Sequence, residues 1–520
     1  MTEKNKDSVE EKNKSSKPND KMHKQIFGTS SKSDFIVNMT AEGTQKMCGI
    51  YSIIAIVLIA LMAIPMYFTE NVIDYSTDGG NHYLSDTFLS YTAIASIAAG
   101  CIGFLIYLIA YSKKQVSFKN NKSLLLVVGI ILLSAISAFT SSDIQSGLLG
   151  HLNRYEGLLA ILGYWGFFAV GMTIKAENRK QNLSDFLVGI GLFQSVVGLL
   201  EKIPAVSKHI QNPFEYLFVR VGLTPNSDME EYLIRGTSYR IPGIYHHSRL
   251  VTGFLVTPFA FAAVMSVLFA VAAAGFVFNK SGKRKIFYGI SALFMACSSF
   301  MTNVLSGVIG IGIGAIVVFA IACIKSFSKK SDTKSPFAFA VSLLCVSGVA
   351  AGILFATGAA KFEDKNAIIT ESHVRVALSD KTAADMTTDQ GIYPYLGEDG
   401  MYTASQKPIF GVGVDNSDGI EEYGVLMDRF FNEYVDMAAQ RGFLCLVVYG
   451  LFIIVTIWKM ILAVKNFIKG EENWFVAAFS AAGFAYLVQA FFNTSTPMSS
   501  PFLWLMLGLV WGIEKKEKVK

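Results

Sequence analysis

The stretch "DRFFNEYVDMAAQRGF", Asp428 to Phe443, sets acids, an arginine and an amide among aromatic residues just before an apolar run. Asp428, Arg429, Asn432 and Glu433 are residue types that move protons and hold anions. In an apolar setting the proton affinity of Glu433 rises, which would let it activate a hydroxyl; solvated, it is a surface charge. Arg154, Arg240 and Arg375 add further guanidinium groups, whose planar forks give phosphate two parallel hydrogen bonds and stay charged at any relevant pH. For any single arginine the alternative is a pair with a nearby acid such as Asp228, Glu230, Glu231 or Asp428. His246 and His247 are candidates for proton transfer. As metal ligands they project differently and lack a third partner at suitable spacing, so no metal site is expected. Tyr393, Tyr395 and Tyr402 are candidates for stacking on sugar rings, with interface anchoring or local packing as the alternative.

The elements that position these residues are apolar. Over 520 residues, 52% are hydrophobic and only 16% charged, more apolar surface than a soluble domain can hide. The mean hydropathy is +0.42. Twelve runs long enough to approach the roughly 30 Å of a bilayer core are expected as an all-α polytopic bundle. They cover 48–68, 88–111, 123–140, 157–174, 186–200, 248–278, 286–301, 304–324, 337–357, 441–464, 474–492 and 501–513. Residues 1–47 form a mixed-charge tail too poor in apolar groups to offset its conformational entropy, so disorder is expected there. The bundle proper is 48–513, with a basic end at 514–520. Six cysteines stand singly in or beside apolar runs and read as packing residues.

The net charge of +5 is distributed as a membrane topology writes it, and no nucleic-acid partner is expected. "SKKQVSFKNNK", "KAENRKQN", "NKSGKRK", "KSFSKKSDTK" and "KNFIKGEEN" alternate with connections whose one basic residue is Arg154. The positive-inside rule puts both termini in the cytoplasm. Two long connections, 201–247 and 358–440, then face outward, and long connections of this kind carry function. Within the first, "PFEYLFVRVGL" reads as an interfacial segment.

No soluble catalytic or nucleotide-binding domain fits between the runs. The series Gly307, Gly310, Gly312, Gly314 lacks the preceding strand and the following Lys-Ser/Thr of a phosphate loop, and reads as close helix packing. Ion-coupled transport is disfavoured as well, because the runs hold almost no ionisable groups: Gln194 and Gln489 are amides, and Glu201 and Arg249 lie at helix ends.

Four stretches resemble the bacterial O-antigen ligase and O-antigen polymerase superfamily, polytopic glycosyltransferases that use polyprenyl-diphosphate carriers. "GLLGHLNRYEGLLAILGY" is similar to the Arg-x-Glu-Gly pattern opening the fourth span, with Arg154, Glu156 and Gly157. "RIPGIYHHSRLVTGFL" sets Arg240 and Gly243 before the sixth. "KPIFGVGVDN" is similar to a Pro-x-x-Gly-x-Gly segment, with Pro408, Gly411 and Gly413. In "DRFFNEYVDMAAQRGF", Asp428, Arg429, Asn432 and Tyr434 match the family's motif, and nine residues separate Asn432 from Gly442.

The resemblance implies a GT-C-like bundle of about twelve spans with a large outer loop before the tenth, in a bacterial plasma membrane. It implies metal-independent, inverting transfer from a polyprenyl-diphosphate-linked glycan to a glycan or lipid acceptor, without a cofactor. Diphosphate contacts would fall to Arg240 and Arg154, then Arg375 and Arg429. The pattern is broken at three places: Phe431 stands where the family has a loop histidine, Cys445 where a small or hydroxylated residue is common, and Val304 and Leu305 where a Ser-Arg is common. Without the histidine, the base could be His246, His247, Glu433 or Asp428, or the acceptor could need little base assistance. A non-catalytic binder of lipid-linked glycan or a flippase-like transporter stands as the alternative.

Overall fold

The computed structural model describes residues 40–62, 85–113, 123–150, 155–202, 251–255, 257–328, 335–362, 392–416 and 429–513. Among them, every regular element is helical. The helices are α1 (Ala41–Ala60), α2 (Ser85–Ser112), α3 (Leu124–Phe139), α4 (Ile144–Leu149), α5 (Leu158–Thr173), α6 (Glu177–Leu200) and α7 (Pro258–Phe278). There follow α8 (Gly282–Phe300), α9 (Leu305–Ser326), α10 (Ser335–Ala356), α11 (Ile392–Gln406), α12 (Glu433–Ile468), α13 (Trp474–Gln489) and α14 (Ser500–Trp511). Eight of these are long and apolar enough to cross a membrane, the make-up of a multi-pass membrane protein. Three more, α3, α5 and α14, are shorter and apolar.

Helix boundaries depart from the apolar runs where polar residues do the terminating. Ala41 to Met47, read in the sequence as the end of a disordered tail, form the first turns of α1, because Thr40 Oγ1 accepts the Gly43 N–H at 3.1 Å and caps the helix. The α7 helix starts ten residues inside its apolar run, since Thr257 caps it and Pro258, which has no N–H to pair, suits the first helical position. The α6 helix extends backward through the polar "ENRKQNLSD". The connection 358–440 holds α11, whose internal Pro394, Gly397 and Gly400 disguise a helix. Packing against α12 overrides that propensity: Gly400 lies against Phe430 and Val435, and Ala404 is fully buried.

The α7 helix, apolar on all sides, is buried and ringed by α6, α8, α9, α10 and α13. The glycines of α9 serve this packing: a Cβ on Gly310 would stand 2.3 Å from Ser266 Oγ of α7. A second group joins α5 to α2 and α14. Its center is a cluster of Trp165, Phe168, Phe452, Trp504 and Trp511, with the Trp165 and Trp504 ring centroids 4.3 Å apart. All six cysteines are free thiols.

The two ends of the bundle differ. At one end Lys285, Lys325 and Lys459 lay their amines over Phe339, Phe467 and Trp511, at 3.6, 3.7 and 4.7 Å from the ring centroids. At the other end buried polar groups tie the helix termini together. Glu201, at the end of α6, accepts the N–H groups of Thr252 and Gly253 at 2.9 and 3.2 Å. Gln194 donates to the Ala60 carbonyl at 2.8 Å and accepts from the Phe254 N–H at 2.9 Å.

Candidate functional site

The candidate site lies at this second end, where α12 opens. Asn432 caps the helix, its Oδ1 accepting the N–H groups of Tyr434 and Val435 at 3.1 and 3.3 Å. Ten positions after Asn432 the helix breaks at Gly442, whose φ of 79° lies in the left-handed region that favours glycine. Here the segment from Pro408 to Asp415 crosses α12. The Phe443 N–H donates to the Pro408 carbonyl at 2.8 Å, the Val412 N–H to Ala439 at 2.9 Å, and the Gly413 N–H to Gln440 at 3.1 Å. The backbones approach so closely that a Cβ on Gly442 would stand 2.2 Å from the Ile409 carbonyl oxygen, and one on Gly411 2.3 Å from Gln440. The two glycine-bearing stretches singled out in the sequence are therefore one crossing.

The crossing carries Asp415 to the start of α5. Its Oδ2 accepts the Glu156 N–H at 3.1 Å, and its own N–H donates to Gln440 Oε1 at 3.2 Å. Three of the four stretches thus meet, and the fourth, around Arg240, lies outside the described residues.

Between them opens a pocket lined by α3, α5, the first turns of α12, the 494–495 connection and α14. Its polar wall is Glu156, Glu433, Asp436, Gln440, Arg441, Thr494 and Ser495; its apolar wall includes Trp165, Tyr164 and Trp504. The Tyr164 hydroxyl donates to Glu156 Oε1 at 2.8 Å and Ser495 Oγ to Oε2 at 3.1 Å. Glu433 accepts from the Tyr449 hydroxyl at 2.7 Å and from Tyr486. Asp436 accepts from Thr494 Oγ1 at 2.9 Å and from the Phe430 N–H at 3.1 Å.

Glu156 stands before α5 begins, and its proton affinity is pushed up to about 7. Removal from water is the main cause, with the charge of Asp415 adding to it; Arg429, the Tyr164 hydroxyl and Arg441 oppose it. Glu201, at the end of α6, is held at about 8 by burial, against the pull of its backbone donors.

The residues expected to do chemistry fall into three groups. Glu433 lines the pocket with both oxygens engaged. Arg429 is buried beside the site, and Asn432 and Gly442 shape α12 as cap and break. Arg154, Arg240, Arg375, His246, His247 and Asp428 lie outside the described residues, as do the side chains of Tyr393 and Tyr395. Tyr402 is exposed on α11. Phe431, at the family's histidine position, is fully buried with its ring 4.6 Å from that of Phe259, and its φ is 48°. It is absent from the pocket wall. Among the described residues no group of three or more His, Cys, Asp or Glu is placed to hold a metal.

Sequence reasoning passed over Arg441, Asp415 and the tyrosines. Arg441 had a signal: it is the one cation between Arg429 and Lys459, standing against the motif glycine. The chain matches no protein-family model, no curated protein and no solved structure.

Proposed function

We propose that this protein transfers or polymerises glycan from a polyprenyl-diphosphate carrier at the outer face of a bacterial plasma membrane. In this reading twelve helices span the bilayer in a GT-C-like bundle, both termini are cytoplasmic and the pocket faces outward. The observation that carries it is the make-up of the pocket: carboxylates and an amide that hydrogen-bond sugar hydroxyls, tryptophan and tyrosine rings that pack on a sugar face, and an arginine for the leaving anion. The lysines gathered at the opposite end support the orientation, since basic residues concentrate on the cytoplasmic side.

The acceptor hydroxyl oxygen attacks the anomeric carbon and the bond to the diphosphate oxygen breaks, its electron pair leaving with the diphosphate. The hydroxyl proton passes to Glu433, which two phenol donors orient as an acceptor. Positive charge for the diphosphate comes from the outer connections through Arg154 and Arg240. Phe431, walled off from the pocket, takes no part.

That same burial favours a second reading, a binder of lipid-linked glycan that performs no transfer. Proteoliposomes carrying the protein and a polyprenyl-diphosphate oligosaccharide separate the two. Release of polyprenyl diphosphate that stops in Glu433→Gln supports transfer; retention of intact donor by a folded protein supports the binder.

A further inference from the structure

We infer that Arg441 holds an anionic phosphate ester inside the pocket, and that Glu156 joins it there as a protonated carboxyl donating a hydrogen bond to the same anion. The first observation is the state of Arg441. Among the described residues its guanidinium makes no ion pair, its Nε is buried without a hydrogen-bond partner, and its one hydrogen bond is from Nη1 to the Met437 thioether at 3.3 Å, while Glu156 and Glu433 feel its charge without bonding it. A thioether is a weak acceptor. A guanidinium lining a pocket in this state has donors free for an anionic oxygen.

The second observation is that the carboxylates around it are otherwise engaged. Glu433 is held by Tyr449 and Tyr486, Asp436 by Thr494 and the Phe430 amide, and Glu156 by Tyr164 and Ser495. An anion entering beside Arg441 meets Glu156, which is already surrounded by Asp415, Arg429, Arg441 and the Tyr164 hydroxyl. A second negative charge at that point favours the neutral carboxyl, which can donate where a carboxylate can only accept. A phosphate ester has oxygens enough to accept from the guanidinium fork and from the carboxyl O–H together.

Assigning that anion to a carrier lipid rests on the transfer reading, whereas the anion site itself is tested by binding alone. Trp165 and Trp504 in the pocket wall report it through their fluorescence. The probes are dimethyl diphosphate with one methyl on each phosphorus, whose charge is constant between pH 6 and 8, and the analogous farnesyl methyl diphosphate, both added to the full-length protein in detergent. A saturable change is expected that is about tenfold tighter at pH 6 than at pH 8, the limit for uptake of one proton by a group titrating near 7. Arg441→Gln should abolish it and Arg441→Lys should keep a weaker form. Glu156→Gln should bind with no dependence on pH.

No saturable change with either probe, or unaltered binding in an Arg441→Gln protein of normal helicity, overturns the inference. Stronger binding of the farnesyl compound supports a lipid carrier; equal binding keeps the anion site and removes the lipid. Binding without glycan release in proteoliposomes sinks the transfer reading alone, and release unaffected by Arg441→Gln overturns the assignment of the carrier's anion to this site.

Discussion

Asp415 and Glu156, 259 positions apart in the chain, are joined by a 3.1 Å hydrogen bond from the Glu156 N–H to the Asp415 carboxylate. The same carboxylate also raises the proton affinity of Glu156. Asp415→Asn keeps an acceptor and removes the charge, so the Glu156 midpoint should fall below about 7. Infrared titration of the protonated carboxyl band, assigned by its loss in Glu156→Gln, measures the shift; an unmoved midpoint would refute the coupling. Asp415→Ala removes the acceptor as well and should cost about 1–3 kcal/mol of stability.

Stability should depend on pH in a direction set by the two buried carboxyls Glu156 and Glu201. Glu156 and Glu201 are raised in the folded state from 4.5 to about 7 and about 8. Because the fold binds these protons more tightly than the unfolded chain, their contribution is complete below pH 4.5 and is lost as pH rises through about 7 and 8. The apparent unfolding temperature in detergent should therefore decline over that window. The double variant Glu156→Gln, Glu201→Gln should flatten the profile, and an equally steep decline there would exclude these groups as its source.

The helix break at Gly442 should tolerate no side chain. Gly442→Ala would place a methyl 2.2 Å from the Ile409 carbonyl oxygen at a positive φ, at a cost of about 3 kcal/mol or more. Gly450→Ala, in the same helix with open space around it, is the control and should unfold like the parent.

Placing a histidine at position 431, as in the family the sequence resembles, should harm the protein and confer nothing. Phe431 is fully buried against Phe259, so Phe431→His replaces an aromatic contact with a ring that has two polar nitrogens to satisfy, at roughly 2 kcal/mol. A gain of glycan transfer in Phe431→His proteoliposomes would show that position 431 reaches the pocket after all.

Asn432→Ala should lower stability by about 1 kcal/mol through loss of the α12 cap, and Asn432→Asp should restore most of it. Comparable donor affinity in both variants would confirm that the residue acts on the helix.

The apolar runs were readable because length and hydropathy alone specify a buried or membrane-crossing helix, and eight helices among the described residues are long and apolar enough to cross a membrane. The helix α11 was hidden by Pro394, Gly397 and Gly400, whose local cost is offset by contacts with α12 that no local window contains. The site was half legible. Glu433 and the glycine motifs stood out as polar or conformationally special residues beside a span, and Glu156 was visible inside an Arg-x-Glu-Gly pattern. Pairing Asp415 with Glu156, or setting Arg441 against Met437, depends on a chain crossing between distant segments, and spacing along one strand of text carries no information about it.

The crossing also sets an order of events during synthesis. Glu156 leaves the ribosome 259 residues before its partner Asp415, a wait of roughly half a minute at about 10 residues per second. Throughout that interval α5 has neither its clasp nor α14 beside it. The pocket closes only when α14, the last described helix, arrives, and a chain truncated before Asp415 should leave Glu156 unclasped and the fold open to quality-control proteolysis.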